Sequence, residues 1–385
     1  KRTIISSINK FLLNNNKNLN LIKKIIQNDI LKLITLTVTE NGYYIDNKKF
    51  NLKNKYIKHD IMNKNFKTIY GMLFFILENC ILYKKKITII SCDNIENNSE
   101  SFRKSFKIFC KKKKSKYKSY VDKHFIFCNS MVDRITPKYS LKTKKEILKE
   151  FKYNDKCHVE SEKYISWIIQ KKEKMQVPNL GKVGVKFVNN ISDYQNMKMQ
   201  ILNASHCSTS FLASLDKKKF VYQTFNDPKF IKFINCYIKR DVIPNLKKNF
   251  INYNQFLNSV IDRFSNTKIQ DLVQRTTING SKNLEIFING TLRKNFNKKK
   301  NLNRYALIYA SWYVFMKINR SFDDENLKYL KKNINTIKSP ILFIKKISRP
   351  SIKNIINLHF EKKYNSYVKM IQKNEIQQSV YDAIK

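Results

Sequence analysis

Three side chains on one stretch, Lys198, Asn203 and His206, are of the types that a reaction between a hydroxyl and a carbonyl uses. A lysine stripped of water loses its proton readily and acts as a base. An asparagine amide donates to an oxygen on which negative charge develops. A neutral imidazole holds a neighbouring hydroxyl. The pattern over 193–215 predicts a helix, and at about 100° per residue Asn203 falls roughly 140° and His206 roughly 80° from Lys198, so one side can carry all three. Spacing alone leaves a second reading open. In a chain with 76 Lys+Arg, a lysine on a helix is also an ordinary solvated residue.

Two further clusters follow runs that read as strands. Ser91-Cys92-Asp93-Asn94 sits at the end of the β-branched run Ile87–Ser91, and Asn129-Ser-Met-Val-Asp133-Arg134-Ile-Thr-Pro137 follows His124–Cys128. The carboxyl ends of parallel strands are where open α/β sheets bind ligands. The first cluster equally suits a turn or helix cap. The Asp133-Arg134 pair suits either a structural ion pair or a carboxylate offered to a polyhydroxylated ligand.

The elements that must position these residues fall into two parts. Before residue 189, strands at 33–39, 87–91, 124–128 and 182–188 alternate with helices at 68–83 and 99–123, which predicts an incomplete Rossmann-like parallel sheet over 1–188. From 189 to 385 the pattern is mostly helical, with stretches at 193–215, 228–238, 244–264, 303–317 and 323–335. The six glycines stand at 42, 71, 181, 184, 280 and 290, and no GxGxxG occurs. A dinucleotide fold needs such a turn after its first strand. The chain also starts at Lys1-Arg2-Thr3 with no initiator Met and is expected to be a fragment.

Composition narrows the classes. With 42% hydrophobic and 13% aromatic residues the chain can build substantial cores. Its formal net charge of +47 suits a polyanion-binding protein. The excess is mostly Lys, accompanied by much Asn and Ile and spread along the whole chain, a pattern AT-rich codons also produce, so nucleic acid is not the expected partner. Seven cysteines (80, 92, 110, 128, 157, 207 and 236) form no CxxC pair, and no HExxH occurs, so neither a zinc site nor a disulfide framework is expected. Reduced thiols and the lack of a long apolar span point to a cytoplasmic chain with no membrane partner.

These segments, in this order, resemble the long-chain polyol dehydrogenase family that includes mannitol 2-dehydrogenase and fructuronate reductase. The resemblance rests on Leu36-Thr-Val-Thr-Glu-Asn-Gly-Tyr43, Ser91–Asn94, Asn129–Pro137, Lys182-Val-Gly-Val185 and Lys198-Met-Gln-Ile-Leu-Asn-Ala-Ser-His206. Arg263-Phe-Ser-Asn266, Arg275, Gly280-Ser281, Arg304-Tyr-Ala-Leu307 and Trp312 continue it, from about residue 3 to about residue 335.

The resemblance implies an NAD-dependent oxidoreductase, with NADP open, that passes a hydride between a small polyol or keto-sugar and the nicotinamide without a metal. Lys198 would be the general base at the C2 hydroxyl, Asn94 and Asn203 would hold that oxygen, and His206 would orient the substrate. Asp133 and Arg275 would contact other hydroxyls, while Thr37, Val38, Thr39 and Asn94 would lie along the cofactor. The assembly implied is a monomer or weak dimer. Fructuronate or tagaturonate reduction is the alternative within the family; an inactive remnant or a basic polyanion binder lies outside it. The family's N-terminal strand with its Gly-rich turn has no counterpart in this sequence, so the resemblance implies that at least one βαβ unit is missing. The sequence also departs from the family where the usual Asp-Gly-Ser reads Asn279-Gly280-Ser281 and Lys282 is shifted by one, so no role is carried onto Lys282.

Overall fold

A computed structural model describes residues 7–13, 16–46, 49–136, 141–152, 159–247, 251–319, 322–347 and 350–385. Pro137, Cys157 and the opening Lys1–Ile5 lie outside them. By its contacts the chain forms two units, Lys1–Arg134 with Ile165–Tyr194, and Ile135–Tyr164 with Gln195–Lys385.

The first unit runs α1 (Asn16–Gln27), β1 (Leu33–Leu36), the short strands β2 (Ile45–Asp46) and β3 (Lys49–Phe50), α2 (Lys55–Met62), α3 (Ile69–Leu82), β4 (Ile87–Ser91), α4 (Asn98–Lys113), α5 (Tyr117–His124), β5 (Phe125–Cys128) and β6 (Ser130–Asp133). It closes with β7 (Ser166–Gln170) and β8 (Lys186–Val188). Strands β1, β4 and β5 make a parallel sheet in that order, with Leu36 opposite Ser91 and Ile90 opposite Cys128. Every residue of β4 is buried, as the Ile-Thr-Ile-Ile-Ser run requires of a central strand covered on both faces. Ile87, Ile89, Phe125 and Phe127 meet a helical layer that includes Phe74, Phe102 and Phe106, whereas Ile90 and Cys128 pack on Ile169. That alternation is the period-two geometry of a strand. Ile169 belongs to a second sheet, β6-β7-β8, in which β6 and β7 are antiparallel and β7 and β8 parallel.

The second unit is mostly helical: α6 (Leu141–Phe151), α7 (Ser192–Met197), a π-turn at Lys198–Asn203, α8 (Ala204–Leu215), α9 (Val221–Phe225), and α10 (Pro228–Cys236) with a π-turn at Tyr237–Val242. There follow α11 (Tyr253–Phe264), α12 (Val273–Thr276), α13 (Gly280–Asn283), a π-turn at Leu284–Ile288, α14 (Asn289–Asn297), α15 (Asn303–Ile318), α16 (Leu327–Thr336), α17 (Pro340–Ile347), α18 (Pro350–Lys353), α19 (Leu358–Gln372) and α20 (Ile376–Ile384). Asn303 to Met316 of α15 are all buried, with α8 and α19 packed against this helix. A helix that is apolar all round belongs at the centre of a core. Among the described residues no helix is long and apolar enough to cross a membrane.

The α/β unit followed by helices agrees with the sequence pattern, but several boundaries move. The strand expected at 33–39 stops at Leu36, because the amides of Val38 and Thr39 turn to the Asp93 carboxylate just past the end of β4. The helix expected at 99–123 breaks after Lys113, inside a lysine run where like charges at helical spacing oppose one another. The strand expected at 182–188 begins at Lys186, since Leu180–Val183 is a 3-10 turn ended by Gly184 at φ 89°. The helix expected from 244 starts at Tyr253, with Pro244 in a separate 3-10 turn and Asn252 as cap. Strands β6 and β7 and helix α1 go unpredicted: the strands are too short for a clear period, and α1 is rich in Asn and Lys.

One buried ion pair ties distant elements of the second unit. Arg304 donates through Nε and Nη2 to the Asp241 carboxylate, the Nη2 bond being 3.1 Å, and through Nη1 to the Ala383 carbonyl at 3.2 Å. Both side chains are almost wholly buried. Asp241→Ala leaves the guanidinium buried and unmatched, and is expected to cost about 3–5 kcal/mol in urea denaturation. An unchanged midpoint would show that the pair contributes nothing.

Candidate functional site

The carboxyl ends of the parallel strands are held by a buried polar knot. Asn98 opens α4 and is fully buried. Its amide nitrogen lies 2.9 Å from the Ser91 carbonyl, 3.0 Å from that of Asp93 and 2.9 Å from that of Ser130. Its oxygen accepts from the amides of Ser99 (2.8 Å) and Ser130 (3.1 Å). Ser99 Oγ donates to the Cys128 carbonyl at 2.6 Å and accepts from the Ser91 amide at 2.7 Å. Buried Asp93 then reaches across to β1, accepting from Val38 N (3.2 Å), Thr39 N (2.8 Å) and Tyr43 Oη (3.1 Å). Thr39 is held at φ 60°, a region seldom taken by residues with a side chain.

Thr37, Thr39 and Asn94 are consequently exposed at the sheet edge, and Val38 is half-buried against Gly42. Asp133 ends β6 opposite Ser166 and is buried, while Arg134 is exposed. This edge fits a nucleotide through its exposed hydroxyls and the Asn94 amide. It does not offer the Val38 and Thr39 amides to a phosphate, because Asp93 already occupies them.

In the second unit, Lys198 is buried and Asn203 and His206 are half-buried. Lys198 and Asn203 bound the π-turn, in which the Ala204 amide donates to the Met199 carbonyl five residues back. A π-turn holds more residues per turn than an α-helix, so the 140° derived for Asn203 from regular α-helical winding does not hold across it. It also loosens the carbonyl ladder, and Ser205 Oγ donates to Ile201 O at 2.7 Å.

His206 follows on α8. Its ring lies 3.9 Å, centroid to centroid, from Phe264 and 5.9 Å from Phe225, and those two rings meet edge to face at 4.9 Å. Among the described residues no hydrogen bond reaches its ring nitrogens, so aromatic packing sets its orientation. Arg275 is exposed, with Nε donating to Asp271 Oδ1 at 2.6 Å and Nη2 to Oδ2. The Phe220–Leu272 bridge brings that segment beside α9. Gly280 is packed so closely that a Cβ there would stand 2.8 Å from Phe211 Cζ and 2.9 Å from Trp312 Nε1. Lys282 pairs with Glu325 at 3.5 Å.

Several supporting residues escape a reading of the sequence. Asp93 is legible only as a turn former. Asn98-Ser99 at a helix start was a usable sign, and Phe264 stands inside the Arg263–Asn266 string that carries the resemblance, but Phe225, Glu162 and Tyr164 carry none. The described cysteines 80, 92, 110, 128, 207 and 236 are free thiols, and among the described residues no three His, Cys, Asp or Glu gather as metal ligands.

Burial, then the positive charges of Arg275 and Arg263, push His206 down from 6.5 to about 3, with Asp271 pulling the other way. The neutral ring is therefore the folded form at neutral pH. Between those two values the unfolded chain binds a proton that the folded chain refuses, so stability falls as pH drops through that window. At pH 5 this amounts to roughly 2 kcal/mol. His206→Gln is expected to lose less stability than the parent between pH 7 and pH 5 in urea titrations; an equal loss would contradict the shift.

Comparison with known proteins supplies the relationship. The model of the mannitol dehydrogenase Rossmann domain matches residues 1–182, and that of the mannitol dehydrogenase C-terminal domain matches residues 190–376. The chain is 31% identical over 296 residues to mannitol dehydrogenase 2 of Saccharomyces cerevisiae, covering 74% of this chain and 58% of that protein. It is 30% identical over 288 residues to D-arabinitol 4-dehydrogenase of Klebsiella pneumoniae, covering 74% and 63%. The chain thus spans about three fifths of the length of these curated relatives. The structure of Pseudomonas fluorescens mannitol 2-dehydrogenase, a ternary complex with NAD and D-mannitol, superposes with a TM-score of 0.78 at 26% identity, covering 98% of this chain and 79% of that one. With its two halves matched in order by the two domain models, the chain belongs to the mannitol dehydrogenase family.

Proposed function

We propose that this protein interconverts a sugar alcohol and a ketose with a nicotinamide nucleotide, NAD first and NADP as the alternative. Residues 1–188 serve mainly the nucleotide and 189–385 the substrate, with the segment 135–164, which packs into the second unit, on the substrate side. A nicotinamide nucleotide, when bound, would supply the hydride acceptor and donor. Thr37, Val38, Thr39 and Asn94 hold it through side chains. Lys198 Nζ takes the proton of the C2 hydroxyl in oxidation and gives it back in reduction, in place of a metal-bound water. Asn94 and Asn203 donate to that oxygen as its charge grows. His206, neutral, holds a neighbouring hydroxyl, and Asp133 and Arg275 contact others.

The observation that carries this reading is the π-turn. A wide turn bounded by a buried lysine and an asparagine, one helical turn before an imidazole whose nitrogens meet no hydrogen-bond partner among the described residues, is costly as mere architecture, and such turns gather at functional positions. The charge pattern supports an uncharged polyol over a hexuronate. The arginines acting electrostatically on His206 are each matched by a carboxylate, Arg263 by Glu162 and Arg275 by Asp271. A uronate would need a cation left over.

Mannitol or arabinitol with NAD is expected to yield NADH, and fructuronate to be reduced at least about tenfold less efficiently, read as kcat/KM. A protein that binds no nicotinamide nucleotide would end this reading. Lys198→Ala is expected to keep nucleotide affinity while kcat falls on the order of 10²–10⁴-fold. Near-normal turnover would exclude Lys198 as the base.

A further inference from the structure

We infer that Glu162 and Tyr164, acting through Arg263, position the His206 imidazole, which makes them positioning residues of the reaction proposed above. The inference rests on that reading for its meaning in catalysis but not for its geometry. Arg263 is 8% exposed and Glu162 5%. The guanidinium donates through Nε to Glu162 Oε2 at 3.0 Å and through Nη2 to Oε1 at 2.8 Å. Its carbon sits 3.9 Å from the centroid of the Tyr164 ring. Glu162 is itself fixed, because Oε1 accepts from the Ile135 amide at 2.6 Å and its own amide donates to the Ile135 carbonyl at 3.1 Å.

The link to His206 is one residue long. Phe264 follows Arg263 at the last position of α11, is buried, and supplies the nearest ring contact to the imidazole. A ring held by stacking alone keeps its orientation only as well as its neighbour does. A two-pronged, stacked arginine fixes the end of a helix in a way a single-point contact cannot. The same carboxylate also cancels a positive charge that acts on His206. With Glu162 gone, the fork that holds the guanidinium would be lost, and the end of α11 would be free to shift. Neither effect needs Glu162 or Tyr164 to touch a substrate.

The test uses the whole protein and two readouts. Steady-state polyol oxidation separates the KM for polyol from that for the nucleotide, and imidazole ¹H–¹⁵N spectra, assigned with His206→Gln, follow the His206 ring directly. Glu162→Gln and Arg263→Lys, which retain size or charge but lose the fork, are each expected to raise the polyol KM about tenfold with the nucleotide KM unchanged, and to move the His206 ring resonances. Tyr164→Leu is the milder variant should those two not fold, and Phe264→Leu should reproduce their effect. Lower melting temperatures with unmoved His206 resonances and an unmoved polyol KM would overturn the inference and leave the cluster a structural brace. Should the parent turn over no polyol, the proposed function fails by itself. The spectra then decide the positioning role: resonances moved by Arg263→Lys and Phe264→Leu uphold it, and unmoved ones refute it.

Discussion

A buried amide and a buried carboxylate organise the first unit. Asn98 gathers the carbonyls that end β4 and open β6, and Asp93 carries the same restraint to the loop after β1. Backbone groups at strand ends cannot pair within the sheet and are costly to bury unsatisfied. Two Asx side chains discharge that debt for three strands at once, and the positions beyond it, Thr37, Thr39 and Asn94, are thereby left facing solvent. Displacing Asp93 would release Thr39 from its positive φ and let β1 run on as the sequence alone suggests.

Much of the fold was legible because it follows hydrophobic period. The runs that became β4, α3 and α15 are short and β-branched, or long and apolar, and their boundaries fall within a residue or two of expectation. The misplaced boundaries lie where something other than period decides: the Asp93 carboxylate just past the end of β4 at Val38–Thr39, charge repulsion after Lys113, a left-handed glycine at 184. None of these is visible in a window of neighbouring residues.

The candidate residues of the second unit were legible as types but not as geometry. Lys198, Asn203 and His206 stand on one helical stretch, as their spacing implied, yet the local winding is not α-helical, and their angular relation differs from the one derived from 3.6 residues per turn. The aromatic and ionic support of His206 comes from positions 162, 164, 225, 263 and 264, separated from it in sequence by up to several tens of residues. Only tertiary packing joins them. Charge was the least informative property. The formal +47 is spread along the chain, and the two arginines that act on His206 are each paired with a carboxylate.

Holding an imidazole by its faces has a chemical consequence. A histidine whose nitrogens are bonded to protein groups has its tautomer chosen in advance. Here, among the described residues, nothing chooses, so either nitrogen can bear the hydrogen and the ring can meet an incoming oxygen as donor or as acceptor. An alcohol can serve in both capacities, whereas a carbonyl only accepts. A side chain free to trade the two roles suits a centre that must receive both partners of a reversible reaction, and it does so without any rearrangement of the backbone that carries it.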